Sequence, residues 1–213
     1  GRLPRRLTVR RLGTMPSMTP PPGRRERNKQ EKLERIVAAA STLFAEHGVD
    51  EVTTQQIAEA ADIGTGTLFL YAKTKGELLL LVQNSHYESS LARGREAAET
   101  AQNAVDALLA LLTPVVECNR VHVGNGRVYL REMLFGDPEV PGHAAALAII
   151  GQTEQAMTEL IGRHTAADPE QAAAQAQVIS AAMYVTMAAS PPQAEVSEVV
   201  TALEGVIRTV LAA

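Results

Sequence analysis

The sequence predicts an all-α fold, and composition and periodicity both lead to this. The 213-residue chain is rich in Ala and contains no Trp, three Phe and four Tyr. Apolar residues recur with the three- and four-residue spacing of amphipathic helices. No run alternates β-branched and polar residues as a half-buried strand does. We therefore expect nine helices, with short ones near the N-terminus and the most apolar ones near the C-terminus.

The first long helix is predicted from about residue 28 to residue 47. Gly48 follows it and is the expected left-handed C-terminal cap. Residues 1–26 are rich in Arg and Pro without periodicity, which predicts a disordered tail. Met15 or Met18 within that tail is a candidate natural start. The helix is predicted from an apolar stripe at the i, i+3, i+4, i+7 spacing, formed by Leu33, Ile36, Val37, Ala40, Leu43 and Phe44.

Two short helices joined by a tight turn are predicted next. Thr53 and Gln56 have the spacing of a capping box, which starts the first of them. Asp62-Ile63-Gly64 interrupts its small apolar face, and the second starts at 65–67. This second helix is apolar nearly all round, since it continues through Leu68, Phe69, Leu70, Tyr71 and Ala72.

A helix of one or two turns cannot bury every side of itself in a small domain, so one side must contact something else. Threonine hydroxyls lie at its N-terminal end, and Lys73 and Lys75 lie just beyond it. These groups indicate DNA as the partner. The alternative interpretation is a buried connector in a helical bundle.

Six further helices complete the prediction. Thr74 and Glu77 have the spacing of a second capping box, opening a helix to about residue 100. Pro114 kinks or restarts the next helix, and Asp137-Pro138 and Pro191-Pro192 are clear breaks. The later helices are predicted at about 103–121, 126–135, 142–164, 169–190 and 194–212.

The distribution of charge favours an anionic partner, and the cysteine content favours the cytoplasm. The net charge is −4, yet eleven of the 20 Lys and Arg residues, and only three of the 24 acidic residues, lie in the first 35 positions. A basic end on an acidic body suits an anionic partner at that end. The single Cys118 is typical of a reducing cytoplasm, and no signal-peptide pattern follows the Arg-rich start. The charge-free stretch 171–194 contains Gln, Ser and Pro, so we expect a buried helix rather than a membrane span.

The segment from Gly48 to Leu78 resembles the DNA-binding part of the TetR family of transcriptional regulators. Three positions depart from the family pattern. Gly64 replaces the usual turn Ser, Phe69 stands where Tyr is common, and Ala72 replaces the usual Phe. The resemblance is carried by Gly48, Thr53, Ile57-Ala58, Ala61, Gly66-Thr67-Leu68, the aromatic Phe69, Tyr71 and Lys75-x-Glu77-Leu78.

The resemblance implies an all-α homodimer, with an N-terminal helix-turn-helix DNA-binding domain and a C-terminal helical ligand-binding and dimerisation domain. Most members of the family repress transcription and release a palindromic operator when a small ligand binds. We expect a disordered basic tail at 1–26, the DNA-binding domain at 27–76 and the effector-binding and dimerisation domain at 77–213. The last two helices are expected to form the dimer.

The candidate DNA-binding residues combine a helix-end phosphate site with groups that reach bases. Spare N–H groups at the helix end capped by Thr53 attract phosphate. Lys75 lies in the first turn of a helix, where the helix dipole disfavours a cation unless an anion binds there as well. Tyr71 is assigned either to phosphate or to core packing. The full candidate set is Thr53, Gln55, Thr65, Gly66, Thr67, Leu70, Tyr71 and Lys75.

A ligand site is expected among the C-terminal helices. The few aromatics and several Met there favour a flexible, mostly aliphatic pocket for a largely apolar small molecule over an aromatic cage for a cation. Every candidate has core packing as its alternative role. The candidates are Tyr87, Cys118, His122, Tyr129, Met133, Phe135, Met157, Met183, Tyr184 and Met187.

Enzyme and metal functions are not expected. The five His and single Cys lack metal-ligand spacing, and no nucleophile elbow, P-loop or dinucleotide fingerprint is present. The prediction is therefore a cytoplasmic DNA-binding regulator without a cofactor, acting as a repressor released by a ligand. An effector-independent DNA-binding dimer and an all-α enzyme or scaffold remain the alternatives.

Overall fold

A computed structural model describes residues 23–213 of the chain. It contains nine helices and no strand within those residues, which confirms the predicted all-α class. The helices are α1 (Arg24–His47), α2 (Thr54–Ala60), α3 (Thr65–Leu68), α4 (Lys75–Ala98), α5 (Ala104–Arg120), α6 (Val123–Phe135), α7 (Pro141–His164), α8 (Pro169–Ala189) and α9 (Val196–Leu211).

Several helices differ in detail from the prediction. α1 begins at Arg24, so the last residues of the predicted disordered tail are helical. α6 begins three residues early because His122 caps it, with its ring Nδ1 accepting from the Asn125 N–H at 3.3 Å. Pro114 lies inside an unbroken α5 and does not restart it. The rest of the predicted tail lies outside the described residues.

Helix α4 is the central element, since it packs against α1, α5, α6 and α7. A buried ladder of four polar side chains crosses it. The Asn119 amide donates to the Tyr87 hydroxyl at 2.7 Å, and the Tyr129 hydroxyl donates to Asn84 Oδ1 at 2.8 Å. The Asn84 amide then donates to the Gly142 carbonyl at 2.9 Å, and the two tyrosine rings stack with centroids 4.4 Å apart. The ladder fixes the register of α4 against α5, α6 and α7.

Two glycines permit close helix crossings. A Cβ added at Gly94 in α4 would collide with the Leu111 carbonyl of α5, and one at Gly126 in α6 would collide with the Asn119 carbonyl. Each contact involves backbone, which cannot move aside as a flexible side chain can. The α4–α5 and α5–α6 spacings therefore depend on the missing side chains.

The C-terminal pair α8 and α9 packs on the body through one side only. Met183 and Met187 of α8 are buried, whereas Val178 and Val185 on its other side are 53% and 65% exposed. Arg120 at the end of α5 holds the loop between the two helices, donating to the Pro191 carbonyl at 2.9 Å and to the Ala194 carbonyl from Nε at 3.1 Å. α8 therefore leaves an apolar face without a partner in this protomer. No helix of residues 23–213 is long and apolar enough to span a membrane.

Substitution of the α4 glycine tests the close crossing. We expect Gly94→Ala to lower the free energy of unfolding by about 2–4 kcal/mol, since two backbones must separate to admit the methyl group. The matched control is Gly151→Ala in α7, where an added Cβ meets no atom. The control should raise stability by about 0.5–1 kcal/mol through helix propensity. Urea denaturation at fixed protein concentration measures both, and equal effects would contradict the proposed crossing.

Candidate nucleic-acid interface and adjoining cavity

The start of α2 has the predicted capping box. Thr53 Oγ1 accepts from the Gln56 N–H at 3.1 Å, and Gln56 Oε1 accepts from the Thr53 N–H at 2.8 Å. Gln55 is exposed, and its amide donates to Glu59 Oε1 at 2.9 Å along the same helix. Both reciprocal bonds come from residues three apart, so the sequence alone locates this helix end.

The turn between α2 and α3 depends on one strained residue. Asp62 has φ +54°, and no other non-glycine residue among those described has a positive φ. The next N–H, that of Ile63, donates back to the Ala58 carbonyl at 3.0 Å. Asp62 tolerates this left-handed conformation better than most side chains, so the turn redirects the chain within three residues.

Helix α3 is shorter than predicted. It ends at Leu68, and the following residues form a turn rather than a helix to Ala72. The Leu70 and Tyr71 N–H groups donate to carbonyls only three positions back, at 3.1 and 2.9 Å. Shorter-range bonds of this kind tighten and end a helix. The predicted recognition helix is therefore a single turn followed by a tightened loop.

Exposure separates the two sides of this segment. Leu68 is fully buried and Ala72 is buried, whereas Phe69 is 46% exposed and Leu70 is 84% exposed. A Cβ added at Gly66 would meet no atom, so open space lies in front of the start of α3. The prediction that one side of this short apolar element lacks a partner within its own domain agrees with this arrangement.

Tyr71 and Lys75 both contact protein backbone. The half-buried Tyr71 donates its hydroxyl to the Lys29 carbonyl of α1 at 3.4 Å. Lys75 Nζ donates to the Asp50 carbonyl at 3.0 Å, which joins the start of α4 to the loop before α2. Half-buried Thr65 and Thr67 lie at the start of α3. These bonds set the orientation of α3 and α4 relative to α1 and the first loop.

The second predicted capping box is only half formed. Thr74 Oγ1 accepts from the Glu77 N–H at 3.1 Å, as predicted. The Glu77 carboxylate accepts instead from the Lys73 N–H at 2.6 Å, one residue before the N-cap. The prediction that Glu77 reaches back to Thr74 is wrong, because the extended chain before α4 presents the earlier N–H to that side chain.

Most of the predicted ligand-site residues are packed in the core. Phe135 is a different case, since it is 83% exposed at the end of α6 and lies outside the expected pocket. Burial raises the pKa of the Tyr87, Tyr129 and Tyr184 hydroxyls, so these groups stay neutral. Tyr87 and Tyr129 form hydrogen bonds within the core. The buried set is Tyr87, Tyr129, Met133, Met157, Met183, Tyr184 and Met187.

The remaining two candidates, Cys118 and His122, line a cavity of about 520 Å³ between α1, α4, α5 and α6. We call this the seam cavity, because α1 belongs to the predicted DNA-binding domain and the other three helices to the body. Sequence reasoning missed the rest of its lining, which comes largely from α1 and α4. Those residues are Ser41, Phe44, Ala45, Leu79, Val82, Gln83, His86, Ser89, Ser90, Arg93, Glu117, Val121 and Asn125.

One side of the seam cavity joins the body to α1 through buried Asn125. Its Oδ1 accepts from the Val49 N–H at 2.8 Å, and its amide donates to the Phe44 carbonyl at 2.9 Å. Gly48 between them has φ +80°, and an added Cβ there would lie 2.8 Å from the His122 ring. We call this group, Phe44, Gly48, Val49, His122 and Asn125, the α1–α6 clasp. It ties the end of α1 directly to the start of α6.

The short helix-turn-helix and its helical body define the class of a DNA-binding regulator, and comparison with known proteins specifies it further. Residues 36–82 match the family described as bacterial regulatory proteins, tetR family. The likeness to this family covers the end of α1, the helices α2 and α3, and the start of α4. Within residues 23–213 no cluster of three His, Cys, Asp or Glu side chains is arranged to hold a metal ion.

Two curated relatives come from Rhodococcus jostii (strain RHA1). The HTH-type transcriptional repressor KstR2 is 29% identical over 100 residues, covering 47% of this chain and 49% of KstR2. The HTH-type transcriptional repressor KstR is 25% identical over 135 residues, covering 63% of this chain and 60% of KstR. The matches thus span about half to three-fifths of these relatives. Both names describe regulators, in agreement with the prediction that the chain is not an enzyme.

Solved structures share the fold over most of the chain. A TetR transcriptional regulator from Rhodococcus sp. RHA1 aligns with a TM-score of 0.67 at 14% identity, covering 86% of this chain and 96% of that one. Thermus thermophilus FadR, described as a TetR family transcriptional repressor in complex with lauroyl-CoA, aligns with a TM-score of 0.61 at 23% identity, covering 84% and 93%. At these identities the likeness concerns the fold.

The thiol of Cys118 in the seam cavity gives a testable difference in reactivity between the folded and the unfolded chain. Burial raises the pKa of Cys118, although a hydrogen bond with Ser90 and the charge of Arg93 oppose this. We expect a thiol reagent such as DTNB to modify the native chain at least about tenfold more slowly than the unfolded chain at pH 8, because less thiolate is present. The reaction in urea is the control, and equal rates would contradict the burial.

The same shift predicts the sign of a stability change. The unfolded thiol ionises first as pH rises, so the folded state loses stability above about pH 8.5, the ordinary thiol pKa. Cys118→Ser removes the thiol and should reduce that loss when urea denaturation is compared at pH 7.5 and 9.5. An identical loss in the variant would exclude Cys118 as its source.

Proposed function

We propose that this protein is a transcriptional repressor that binds a palindromic operator as a homodimer and leaves it when a largely apolar small molecule binds. The observation that carries the proposal is the exposed apolar tip of the helix-turn-helix, where Leu70 is 84% exposed beside threonine hydroxyls. An isolated small domain gains nothing from such exposure, whereas a major groove offers thymine methyl groups to it.

The proposed DNA contacts divide into base and phosphate groups. Thr65, Thr67 and Leu70 lie at or just after α3 and face base edges, with Gly66 allowing close backbone approach. Lys75 uses one of its three donors on the Asp50 carbonyl, which leaves two for phosphate. Phosphate also suits the N-terminal ends of α2 and α4, since helix ends attract anions.

Three other candidates play smaller parts in this proposal. Thr53 caps α2 and leaves its neighbouring N–H groups for phosphate, while Gln55 uses one amide N–H on Glu59 and keeps the second for phosphate. Tyr71 already bonds to the Lys29 carbonyl, so its main contribution is to hold α3 against α1. The interface is therefore a small set of groups placed by packing against α1.

The proposed dimer uses α8 and α9. Val178 and Val185 project from α8 with over half of each side chain exposed, on a face otherwise formed largely by Ala. An apolar face of this extent suits a second copy of the chain. Two helix-turn-helix units related by the dimer axis would then meet two half-sites of one operator.

The domain division proposed for these roles is 27–76 for DNA binding and 77–213 for effector binding and dimerisation. A cytoplasmic location follows from the proposed contact with DNA. One observation favours an effector-independent dimer as the second candidate, because seven predicted pocket residues are packed in the core. Loss of a DNA complex on adding a small molecule distinguishes the two.

Selection from random duplex DNA tests the function and identifies the operator at the same time. The full chain should enrich an inverted repeat, and a gel shift with the enriched duplex should give one discrete complex that competitor DNA of scrambled sequence does not remove. Enrichment of a non-repeated sequence would contradict the dimeric mode, and no enrichment would contradict the function.

Two substitutions separate the phosphate and base roles. We expect Lys75→Ala to weaken binding to operator and random DNA alike and to lower the salt dependence by about one counterion. Thr67→Ala should weaken operator binding by about 1–2 kcal/mol with little effect on random DNA. Fluorescence anisotropy at several salt concentrations measures both. If both variants lost specific and nonspecific binding equally, these assignments would be wrong.

A charge on the exposed face of α8 tests the dimer. We expect Val185→Glu to give a monomer at micromolar concentration in sedimentation velocity, because a buried unpaired carboxylate opposes association. Phe135→Glu is the control, since it places the same charge on an 83% exposed apolar residue at the end of α6. The control should sediment as the wild type does. A dimeric Val185→Glu variant would place the interface elsewhere.

A further inference from the structure

We propose that the seam cavity binds a small amphipathic anion, with an apolar body and one acid group, and that its occupant acts on DNA binding through the α1–α6 clasp. The DNA-binding half of this inference rests on the proposed function. The site itself does not, because it is argued from the lining of the cavity and can be tested without DNA.

The size and lining of the cavity suit a small organic molecule. Its volume of about 520 Å³ lies within the range usual for ligand sites, which is about 300–1,000 Å³. Phe44 of α1, Leu79 and Val82 of α4, and Val121 at the corner between α5 and α6 give it apolar walls. Nine of the 15 lining residues are polar or charged, and they bring hydroxyl, amide, imidazole, carboxylate and guanidinium groups to the cavity. Apolar walls with polar groups placed among them suit a molecule that has an apolar body and one polar end.

Arg93 indicates where the acid group of the ligand binds in the cavity. Its guanidinium donates to Ser90 Oγ at 3.3 Å, and it forms no ion pair with any carboxylate of residues 23–213. A guanidinium has five N–H donors in a fork that matches an acid group. Glu117 is the one acidic residue in the cavity lining and lies on α5. The anionic end is therefore placed on the α4 wall, beside Arg93, Ser89 and Ser90.

Occupancy reaches the DNA-binding domain by direct contact. Phe44 is part of the cavity lining, and its carbonyl accepts from the Asn125 amide. Asn125 and His122 also line the cavity, and they hold the Val49 N–H and the start of α6. A molecule between α1 and α6 thus touches both sides of the clasp. It shifts the DNA-binding equilibrium if the clasp differs between the free and DNA-bound forms.

Two related dyes test the site and its charge preference. The anion is 8-anilinonaphthalene-1-sulfonate, and N-phenyl-1-naphthylamine is the same molecule without the sulfonate. Calorimetric titration of the full chain should give one site per protomer with tighter binding of the anion. Arg93→Gln should weaken binding of the anion about tenfold, because one charge-assisted pair is lost, and should leave the affinity for the neutral dye unchanged. Equal weakening of both dyes, or of neither, would overturn the assigned acid group.

A pair of serines one turn apart on α4 locates the dye. Ser89 lines the cavity and is exposed, so Ser89→Trp fills the space without disturbing the core. Ser85 is also exposed on α4 but is not part of the lining, which makes Ser85→Trp the matched control. We expect Ser89→Trp alone to abolish binding. Equal binding by both variants would place the dye outside the cavity.

The only cysteine of the chain reports occupancy independently. Because Cys118 lines the cavity, saturating anionic dye should slow its reaction with DTNB at least about fivefold in the wild type and Ser85→Trp, through loss of access. An unchanged rate at saturation, with binding measured by calorimetry, would mean that the dye binds elsewhere and would overturn the site.

Transmission through the clasp is tested with operator DNA selected by the wild-type chain. Saturating anionic dye should weaken wild-type operator binding roughly tenfold. Asn125→Asp keeps the acceptor for the Val49 N–H but loses the donor to the Phe44 carbonyl. At dye concentrations that calorimetry shows to be saturating for this variant, it should lose most of this effect. A full effect in a folded Asn125→Asp variant, or none in the wild type, would overturn the transmission.

A measurement on the wild type covers the case in which Asn125→Asp does not fold. Hydrogen exchange at the Val49 amide, which Asn125 protects, should change at least about threefold on dye binding if the clasp responds. Unchanged exchange would overturn the transmission. If the unliganded chain selects no DNA, the proposed function fails and the transmission fails with it, while the dye and Cys118 measurements still decide the site.

Discussion

The buried polar ladder across α4 is the interaction on which the rest of the structure depends. Tyr87 and Tyr129 bury their hydroxyls, and leaving either without a partner would cost about 1–3 kcal/mol. Asn119 and Asn84 supply those partners from fixed positions on α5 and α4. A slip of one helix turn would leave all four groups unsatisfied. The apolar packing around the ladder supplies stability, and the ladder selects one register for it.

That register determines where the corner between α5 and α6 lies. Arg120 holds the loop between α8 and α9, while Asn125, five residues later, holds the end of α1. The seam cavity opens between these two attachments, with Cys118 and His122 on its wall. One short corner therefore contacts the proposed DNA-binding domain, the proposed dimer helices and the cavity. A ligand that moves this corner would therefore act directly on the proposed DNA-binding domain and on the proposed dimer helices.

The helix-turn-helix shows how a small domain leaves apolar surface exposed for a partner. Leu68 and Ala72 anchor it, and the turn at Asp62 accepts a left-handed conformation to bring α3 out to the surface. The bonds from Tyr71 to α1 and from Lys75 to the first loop then fix its orientation. Leu70 is left outside with no protein partner in the domain. Packing on one side thus orients the element and leaves its other side exposed for the proposed contact with DNA.

Local signals by themselves determined the helices, because a cap or an apolar stripe involves residues three or four apart. Thr53 and Gln56 located the start of α2. Gly48 was correctly placed after α1, but the His122 ring against it comes from 74 positions later. Only the tertiary structure decided which apolar residues face empty space. The predicted pocket residues Met183 and Tyr184 fill the core instead, while the cavity forms at the seam with α1, because helix packing and not local pattern decides where gaps remain.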